Sequence, residues 1–387
     1  MFRTILINYT KWCIALVMVI ILISASAMHR SMKELTVTMA DSIPKVDSLA
    51  RNFMKKYHIP GMSLAIAKDG RIVYAKGYGY ANDSTRELVT PSHLFRIASV
   101  SKPITSVAIL QLVEEKRLSL GAKVFGDSGI LGNEYGELPV GSKIGDITVH
   151  QLLQHISGGW PNDALDPMFL NKALTHEQLI RFALKYYTLA NEPGKAYAYS
   201  NFGYCVLGRV IEKIGGMPYE KYVQQNILSK AGVTDMRIGG NLLSEKLPNE
   251  VVYYGQNNED PYRYNIRRMD SHGGWVASAS DLLHFVFAVD GFKTKPDILQ
   301  PATIEIMTTP PLVNNGYACG WAVNSAYNWW HTGSLPGTAT ELVRANNGFA
   351  WAILTNTRSR DKDFAGDMDR LIWYAVRDKA IQWIPVD

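Results

Sequence analysis

Ser99-Val100-Ser101-Lys102 is the stretch on which the reading of this chain turns. It sets a hydroxyl and an amine three residues apart, where an apolar-periodic segment, Pro103 to Lys116, begins. On a helix, positions i and i+3 share a face, so the Lys102 amine falls beside the Ser99 hydroxyl. A serine hydroxyl is a weak nucleophile until a neighbouring base takes its proton, and Ser-x-x-Lys supplies that base without a histidine. The pattern recurs as Ser42-Ile43-Pro44-Lys45 and Ser359-Arg360-Asp361-Lys362. The first has a proline between its partners, and the second lies in a charged run with no apolar helix behind it. Only Ser99 opens a long helix, with Ile104, Val107, Ala108, Leu110 and Val113 as apolar positions.

Upstream of this stretch, Ile43 to Tyr57 has the pattern of an amphipathic helix. Met62–Ala67 and Arg71–Tyr80 read as strands joined by Asp69-Gly70, a hairpin signal. Downstream the chain is mostly helical. Thr148 caps a helix that ends at Ser157-Gly158-Gly159, and Thr175-His176-Glu177-Gln178 is a capping box for a helix to about Tyr186. Further helices run from Phe202 to Ile214, stopped by Gly215-Gly216, and from Ser278 to Phe287. Strands then return at Gly320–Val323, Thr338–Arg344 and Phe349–Asn356, and Asp367 to Lys379 closes with a helix. Strands at both ends with helices between them predict an α+β fold. One antiparallel sheet is built from the two chain ends and flanked by helices, and a mainly helical subdomain is inserted. The expected sheet subdomain is about 43–95 and 270–387, the helical one about 96–269, and chemistry is expected in the cleft between them.

The N-terminus adds a processing signal. Arg3 and Lys11 precede an unbroken apolar run, Trp12 to Ile23, followed by Ser24-Ala25-Ser26-Ala27. This three-part pattern predicts a signal peptide over 1–27, a hydrolase domain over 28–387, and a periplasmic or secreted protein. The run is too short to span a bilayer comfortably, which takes about 20 residues. An uncleaved anchor giving membrane association is the alternative. Cys13 does not follow a small residue at a cleavage site, so it carries no lipidation reading. The net charge of +5, lowered by two when Arg3 and Lys11 leave, and the lack of a long basic run argue against nucleic acid as a partner. Cys205 and Cys319 sit in apolar contexts and read as buried free thiols, with one disulfide as the other option. No cysteine or histidine spacing suggests a metal, and no cofactor is implied.

Two more motifs carry polar chemistry. Tyr199-Ser200-Asn201 lies after Pro193-Gly194-Lys195 and directly before the Phe202 helix, where a side chain can project. A phenol shuttles protons well only if its pKa of about 10 is lowered, and an ammonium such as Lys102 would lower it. His331-Thr332-Gly333-Ser334 follows Asn328-Trp329-Trp330, and a glycine at a sheet edge admits substrate close to backbone N–H groups. Singly, Tyr199 reads better as an ordinary half-buried tyrosine, and His331 as a surface or core histidine. Trp160, Trp275, Trp329 and Trp330 read as pocket walls or as core.

Taken in order, Ser99-x-x-Lys102, Tyr199-x-Asn201 and His331-Thr332-Gly333 resemble the serine β-lactamase and penicillin-binding protein superfamily. The resembling branch holds class C β-lactamases, D-alanyl-D-alanine carboxypeptidases and related serine esterases. Flanking matches include Gly77-Tyr78-Gly79-Tyr80-Ala81, Phe95-Arg96-Ile97-Ala98, Leu152 to Gly158, Gly273 to Ser278 and Gly333 to Gly337. The resemblance covers roughly residues 45 to 375 and implies a β-lactamase/transpeptidase-like fold. It also implies a covalent acyl-enzyme, with Ser99 as nucleophile, Lys102 as its base, and Tyr199 relaying the proton to the leaving group. Asn201 would hold Lys102 or the substrate amide, and the N–H groups of Ser99 and Ser334 would form the oxyanion hole. The implied substrate is a small ester, β-lactam or D-amino-acid peptide.

One position departs from the pattern. Many β-lactamases and carboxypeptidases carry lysine where this chain has His331, and a largely neutral imidazole weakens the case for recognising a substrate carboxylate there. The rival α/β-hydrolase reading needs Gly-x-Ser-x-Gly, which no serine here satisfies. The other alternative is a catalytically weak penicillin- or peptidoglycan-binding protein, which would not need Ser99, Lys102, Tyr199 and Asn201 together.

Overall fold

The computed structural model describes residues 42–170 and 172–385, so the signal segment and Cys13 lie outside the described residues. The first helix, α1 (Pro44–Lys56), has proline in its first turn and buries Val46, Ala50 and Phe53. Strands β1 (Gly61–Lys68) and β2 (Arg71–Asn82) form the predicted hairpin. Asp69 (φ 50°) and Gly70 (φ 74°) supply the two left-handed residues that a two-residue turn needs. After β3 (Glu87–Leu88) and β4 (Phe95–Arg96), a 3₁₀ turn at Ala98–Val100 leads into α2 (Ser101–Glu114).

The central region holds α3 (Val149–Leu153), α4 (Pro167–Leu170), α5 (His176–Tyr186), α6 (Asn201–Gly215) and α7 (Tyr219–Val223). The expected caps are present: Thr148 with Gln151, Thr175 with Gln178, and left-handed Gly216 after α6. The α3 helix stops short of the expected end at Ser157-Gly158-Gly159 because His155 adopts φ 57°. Next come β5 (Arg237–Ile238), α8 (Asp270–Gly273), β6 (Trp275–Ala277), α9 (Ala279–Phe287) and α10 (Pro301–Thr308). The chain closes with β7 (Ala322–Val323), β8 (Trp329–Leu335), β9 (Thr338–Arg344), β10 (Phe349–Thr355) and α11 (Phe364–Val376). The expected strand at Gly320 is shorter because Gly320 turns at φ 78°.

The main sheet is antiparallel in the order β3-β2-β1-β10-β9-β8-β7, so the two chain ends meet where β1 pairs with β10, Ile66 opposite Trp351. This is the predicted α+β architecture. A second sheet, β4-β6-β5, was not anticipated, because two- and three-residue strands carry no readable period.

The strands of the main sheet sort their residues by parity. On β1 and β10 the large residues Leu64, Ile66, Trp351 and Ile353 face a core capped by α1 and α11. Ala65, Ala67, Ala350 and Ala352 face the other core, where α9 lies against β1 and β10. Small residues on that face let a helix seat closely. The same parity on β9 aims Thr338 and Thr340 at the turn that carries Ser99.

Candidate active site

Three segments hold the Ser99 turn against the sheet. The Thr338 hydroxyl donates to the Arg96 carbonyl and the Thr340 hydroxyl to the Ile97 carbonyl, each at 2.8 Å. The Ile97 N–H donates to the Trp275 carbonyl at 3.0 Å. Ala98, immediately before Ser99, adopts φ 47°, a left-handed conformation that costs an alanine about 1 kcal/mol or more. Gly333 on β8 makes the approach possible: a Cβ there would lie 2.2 Å from the Ile97 carbonyl oxygen. The sheet edge at Ser334 and the Ser99 turn thereby line the same two cavities.

Lys102 is fully buried in the first turn of α2. Its Nζ lies 2.8 Å from Asn201 Oδ1, 3.0 Å from the His272 carbonyl oxygen and 3.1 Å from Ser99 Oγ. Burial pushes its pKa well below the ordinary lysine value, with Asp166 partly opposing. A neutral amine has two hydrogens and one lone pair. Asn201 Oδ1 and the His272 oxygen are acceptors only, so they take the hydrogens, and the lone pair faces the Ser99 hydroxyl. The amine is thus poised to accept the serine proton.

The orientation of Asn201 is itself fixed. Its Nδ2 donates to Asp166 Oδ2 at 2.8 Å and to Asn162 Oδ1 at 3.0 Å. Because an ionised carboxylate only accepts, Asp166 forces the amide oxygen toward Lys102. Burial raises the Asp166 pKa to about 6.

Tyr199 lies across the cleft, with the Lys102 amine 4.7 Å from its ring centroid. The loop is braced by His155, whose Nδ1 accepts the Ser200 N–H at 3.0 Å and whose ring centroid is 4.2 Å from that of Tyr199. The expectation that Lys102 lowers the Tyr199 pKa is not met. Burial raises it, against a lowering contribution from the Ser99 hydroxyl. With Lys102 buried and Tyr199 half-buried beside it, desolvation favours the neutral form of both, an amine that can accept a proton and a phenol that can give one.

His331 is buried on β8, with Nε2 3.0 Å from the Tyr317 hydroxyl and Nδ1 2.7 Å from the Thr332 carbonyl oxygen. The latter contact requires a hydrogen on Nδ1, so Nε2 accepts from Tyr317. Burial, and then Lys102, push its pKa down to about 3, so the ring is neutral as the sequence suggested.

Two chambers meet at Ser99. One, of about 380 Å³, is walled by Tyr197, Tyr199, Tyr317, Trp330, His331 and Thr332. The other, of about 260 Å³, is walled by Phe169, Asn201, Tyr264, Leu335, Gly273 and Arg358. All eight residues expected from the sequence, Ser99, Lys102, Tyr199, Asn201, His331, Thr332, Gly333 and Ser334, belong to this one region. Of the tryptophans, Trp330 lines a chamber, whereas Trp160 and Trp275 are core. Sequence reading missed Asn162, Asp166, Tyr317 and Arg358, which sit in segments without periodicity and reach the site only through long-range contacts. His155, at the end of the Thr148-capped helix, supports Tyr199. Ser42 and Ser359 are remote from this chemistry: Ser42 hydrogen-bonds Asp47, and Ser359 caps a loop N–H at Asp361.

Fold and site together place the chain in the serine β-lactamase and penicillin-binding protein superfamily. A sequence model of the Beta-lactamase family matches residues 46–373, and the chain belongs to that family, whose members are serine hydrolases working through an acyl-enzyme. Among curated relatives, Protein flp of Staphylococcus aureus (strain MRSA252) is 26% identical over 326 residues, covering 82% of this chain and 64% of that protein. The chain therefore spans a little under two thirds of that relative's length. Penicillin-binding protein 4* of Bacillus subtilis (strain 168) is 27% identical, covering 82% of this chain and 72% of that protein. Among solved structures, an octameric penicillin-binding protein homologue from Pyrococcus abyssi superposes with TM-score 0.68 at 26% identity, covering 87% of this chain and 78% of that one. A class C β-lactamase, at TM-score 0.71 and 19% identity over 87% of this chain and 96% of that one, shares the fold.

Proposed function

We propose that this protein is a secreted or periplasmic serine hydrolase that acylates Ser99 and cleaves esters or amides with an uncharged leaving group. The observation that carries the reading is the three-way fix on Lys102, which points a lone pair at Ser99 Oγ. As Oγ attacks the carbonyl carbon, its proton passes to the Lys102 amine. The N–H groups of Ser99 and Ser334 receive the developing oxyanion. Collapse breaks the carbonyl bond to the leaving group, which takes the Tyr199 proton, and the Lys102 ammonium returns a proton to Tyr199. Water then repeats the sequence on the acyl-enzyme and frees Ser99.

The leaving group occupies the chamber that Tyr199 lines, since Tyr199 gives it the proton. That chamber is aromatic, and neutral His331 offers no fixed charge to a carboxylate, which favours esters and amides over penicillins and D-Ala-D-Ala peptides. Export rests on the reading of residues 1–27 and is checked by the mass of the mature chain, expected to begin at Met28.

The test is a panel on the purified protein: 4-nitrophenyl butyrate, a chromogenic cephalosporin and a D-alanyl-D-alanine peptide, with mass spectrometry of Ser99. The ester is expected to turn over fastest, and Ser99→Ala to abolish turnover. Turnover that survives in Ser99→Ala refutes the mechanism. No adduct at Ser99 with any acylating probe favours the binding-protein reading.

A further inference from the structure

The chamber opposite Tyr199 carries an unbalanced charge. Glu259, whose side chain is 7% exposed, accepts from Arg358 Nε at 2.9 Å and Nη2 at 2.6 Å. The same carboxylate accepts from Arg360 Nε at 2.8 Å and Nη2 at 2.6 Å. One carboxylate therefore answers two guanidiniums, and the cluster keeps one excess positive charge. The two arginines are not equivalent. Arg360 extends into solvent, whereas Arg358 has a side chain 21% exposed and lines the chamber beside Ser99.

Arg358 also reaches the chemistry. Its Nη1 donates to Ser334 Oγ at 3.2 Å, on the residue whose backbone N–H is proposed above to receive the oxyanion. Its bonds to Glu259 and Ser334 use three of its five N–H groups, leaving one on each terminal nitrogen. Phe169, Tyr264 and Leu335 provide apolar wall in the same chamber. Asp166, the buried carboxyl on this side, does not line the chamber; it lies behind Asn201 with its oxygens engaged by Asn201 and the Met168 N–H.

The leaving group is assigned to the other chamber by Tyr199, so this one takes the acyl chain. We infer that Arg358 is an acyl-side specificity residue, and that the preferred acyl groups are short chains ending in a carboxylate, as in half-esters or half-amides of dicarboxylic acids. The apolar walls take the methylene stem, and the guanidinium takes the terminal carboxylate as a charge-assisted pair. The inference rests on the Ser99 acyl-enzyme reading.

The experiment compares kcat/KM for three esters: the mono-4-nitrophenyl ester of adipic acid, 4-nitrophenyl hexanoate, and 4-carboxyphenyl hexanoate, which moves the charge to the leaving group. The wild type is expected to prefer adipate to hexanoate, and added salt to reduce that preference. Arg358→Gln is expected to lower the adipate-to-hexanoate ratio about tenfold, the scale of one hydrogen bond to a charged group. The ratio of 4-carboxyphenyl hexanoate to 4-nitrophenyl hexanoate should not follow it. Arg360→Gln, an exposed change that tests the charge excess without touching Ser334, should lower the adipate ratio by a smaller factor. A wild type with no adipate preference, or a ratio that Arg358→Gln leaves in place, overturns the inference. Hydrolysis of hexanoate alone sinks only the acidic-acyl subsite; loss of turnover on all three esters sinks the acyl-enzyme reading beneath it.

Discussion

Lys102 is buried and Tyr199 half-buried, and Asp166 offsets the cost of charging Lys102 only in part. Desolvation favours the neutral amine and the neutral phenol, so the resting pair is a base beside an acid, not an ammonium beside a phenolate. The consequence for Tyr199→Phe depends on the leaving group. An anilide must receive a proton to depart, whereas 4-nitrophenolate departs without one. Tyr199→Phe should therefore lower kcat/KM for a 4-nitroanilide by about a hundredfold or more, the usual worth of a general acid, and for the matching nitrophenyl ester by clearly less. Steady-state kinetics on the paired substrates check this; equal losses would mean that Tyr199 acts by packing alone.

Among the elements, β8 and β9 position the Ser99 turn. Gly333 is the contact point, because any side chain there meets the Ile97 carbonyl oxygen and Thr340. Gly333→Ala should force the Ser99 turn away from Ser334 and open the oxyanion site. The expected loss in kcat/KM is about a hundredfold, comparable to removing one oxyanion donor, with the fold retained by circular dichroism.

The opposite face of β9 holds a different strain. Glu341 is buried there with the Trp351 indole N–H at 3.3 Å from its carboxylate, and burial pushes its pKa up to about 8. The folded state then binds a proton that the unfolded state releases near pH 4 to 5. Stability is lost as pH rises from that range through about 8 and is level above it. Glu341→Gln should remove this loss, raising the thermal midpoint at pH 9 while changing it little at pH 4. Melting curves across pH decide the matter; an unchanged slope would show that Glu341 is not the titrating group.

Across the whole molecule, the sheet separates two cores, and Cys205 and Cys319 are both buried on the side of the cleft. Both are free, as the sequence reading held, and burial raises each thiol pKa to about 12. A thiolate is the species that alkylates, so neither should react with iodoacetamide in the native protein, and both should react on denaturation. Mass spectrometry of labelled protein checks this, and native labelling at a rate independent of denaturant would contradict it.

Much of this was legible in the sequence because it is local. The hairpin at Asp69-Gly70, the capping boxes at Thr148 and Thr175 and the Gly216 stop follow from nearest-neighbour backbone chemistry. The Ser99 to Lys102 spacing follows from helix geometry. Parity along β1, β9 and β10 fixes which residues share a face. Contacts made across the chain were not legible: Asp166 turning Asn201 toward Lys102, His155 bracing Tyr199, and Arg358 with Glu259 beside Ser334. The sequence by itself singled out the candidate reacting groups, which the structure brings into one region. Their protonation states and the charge of each chamber were decided only by the tertiary structure, because desolvation and pairing depend on what surrounds a group in space, not on its neighbours along the chain.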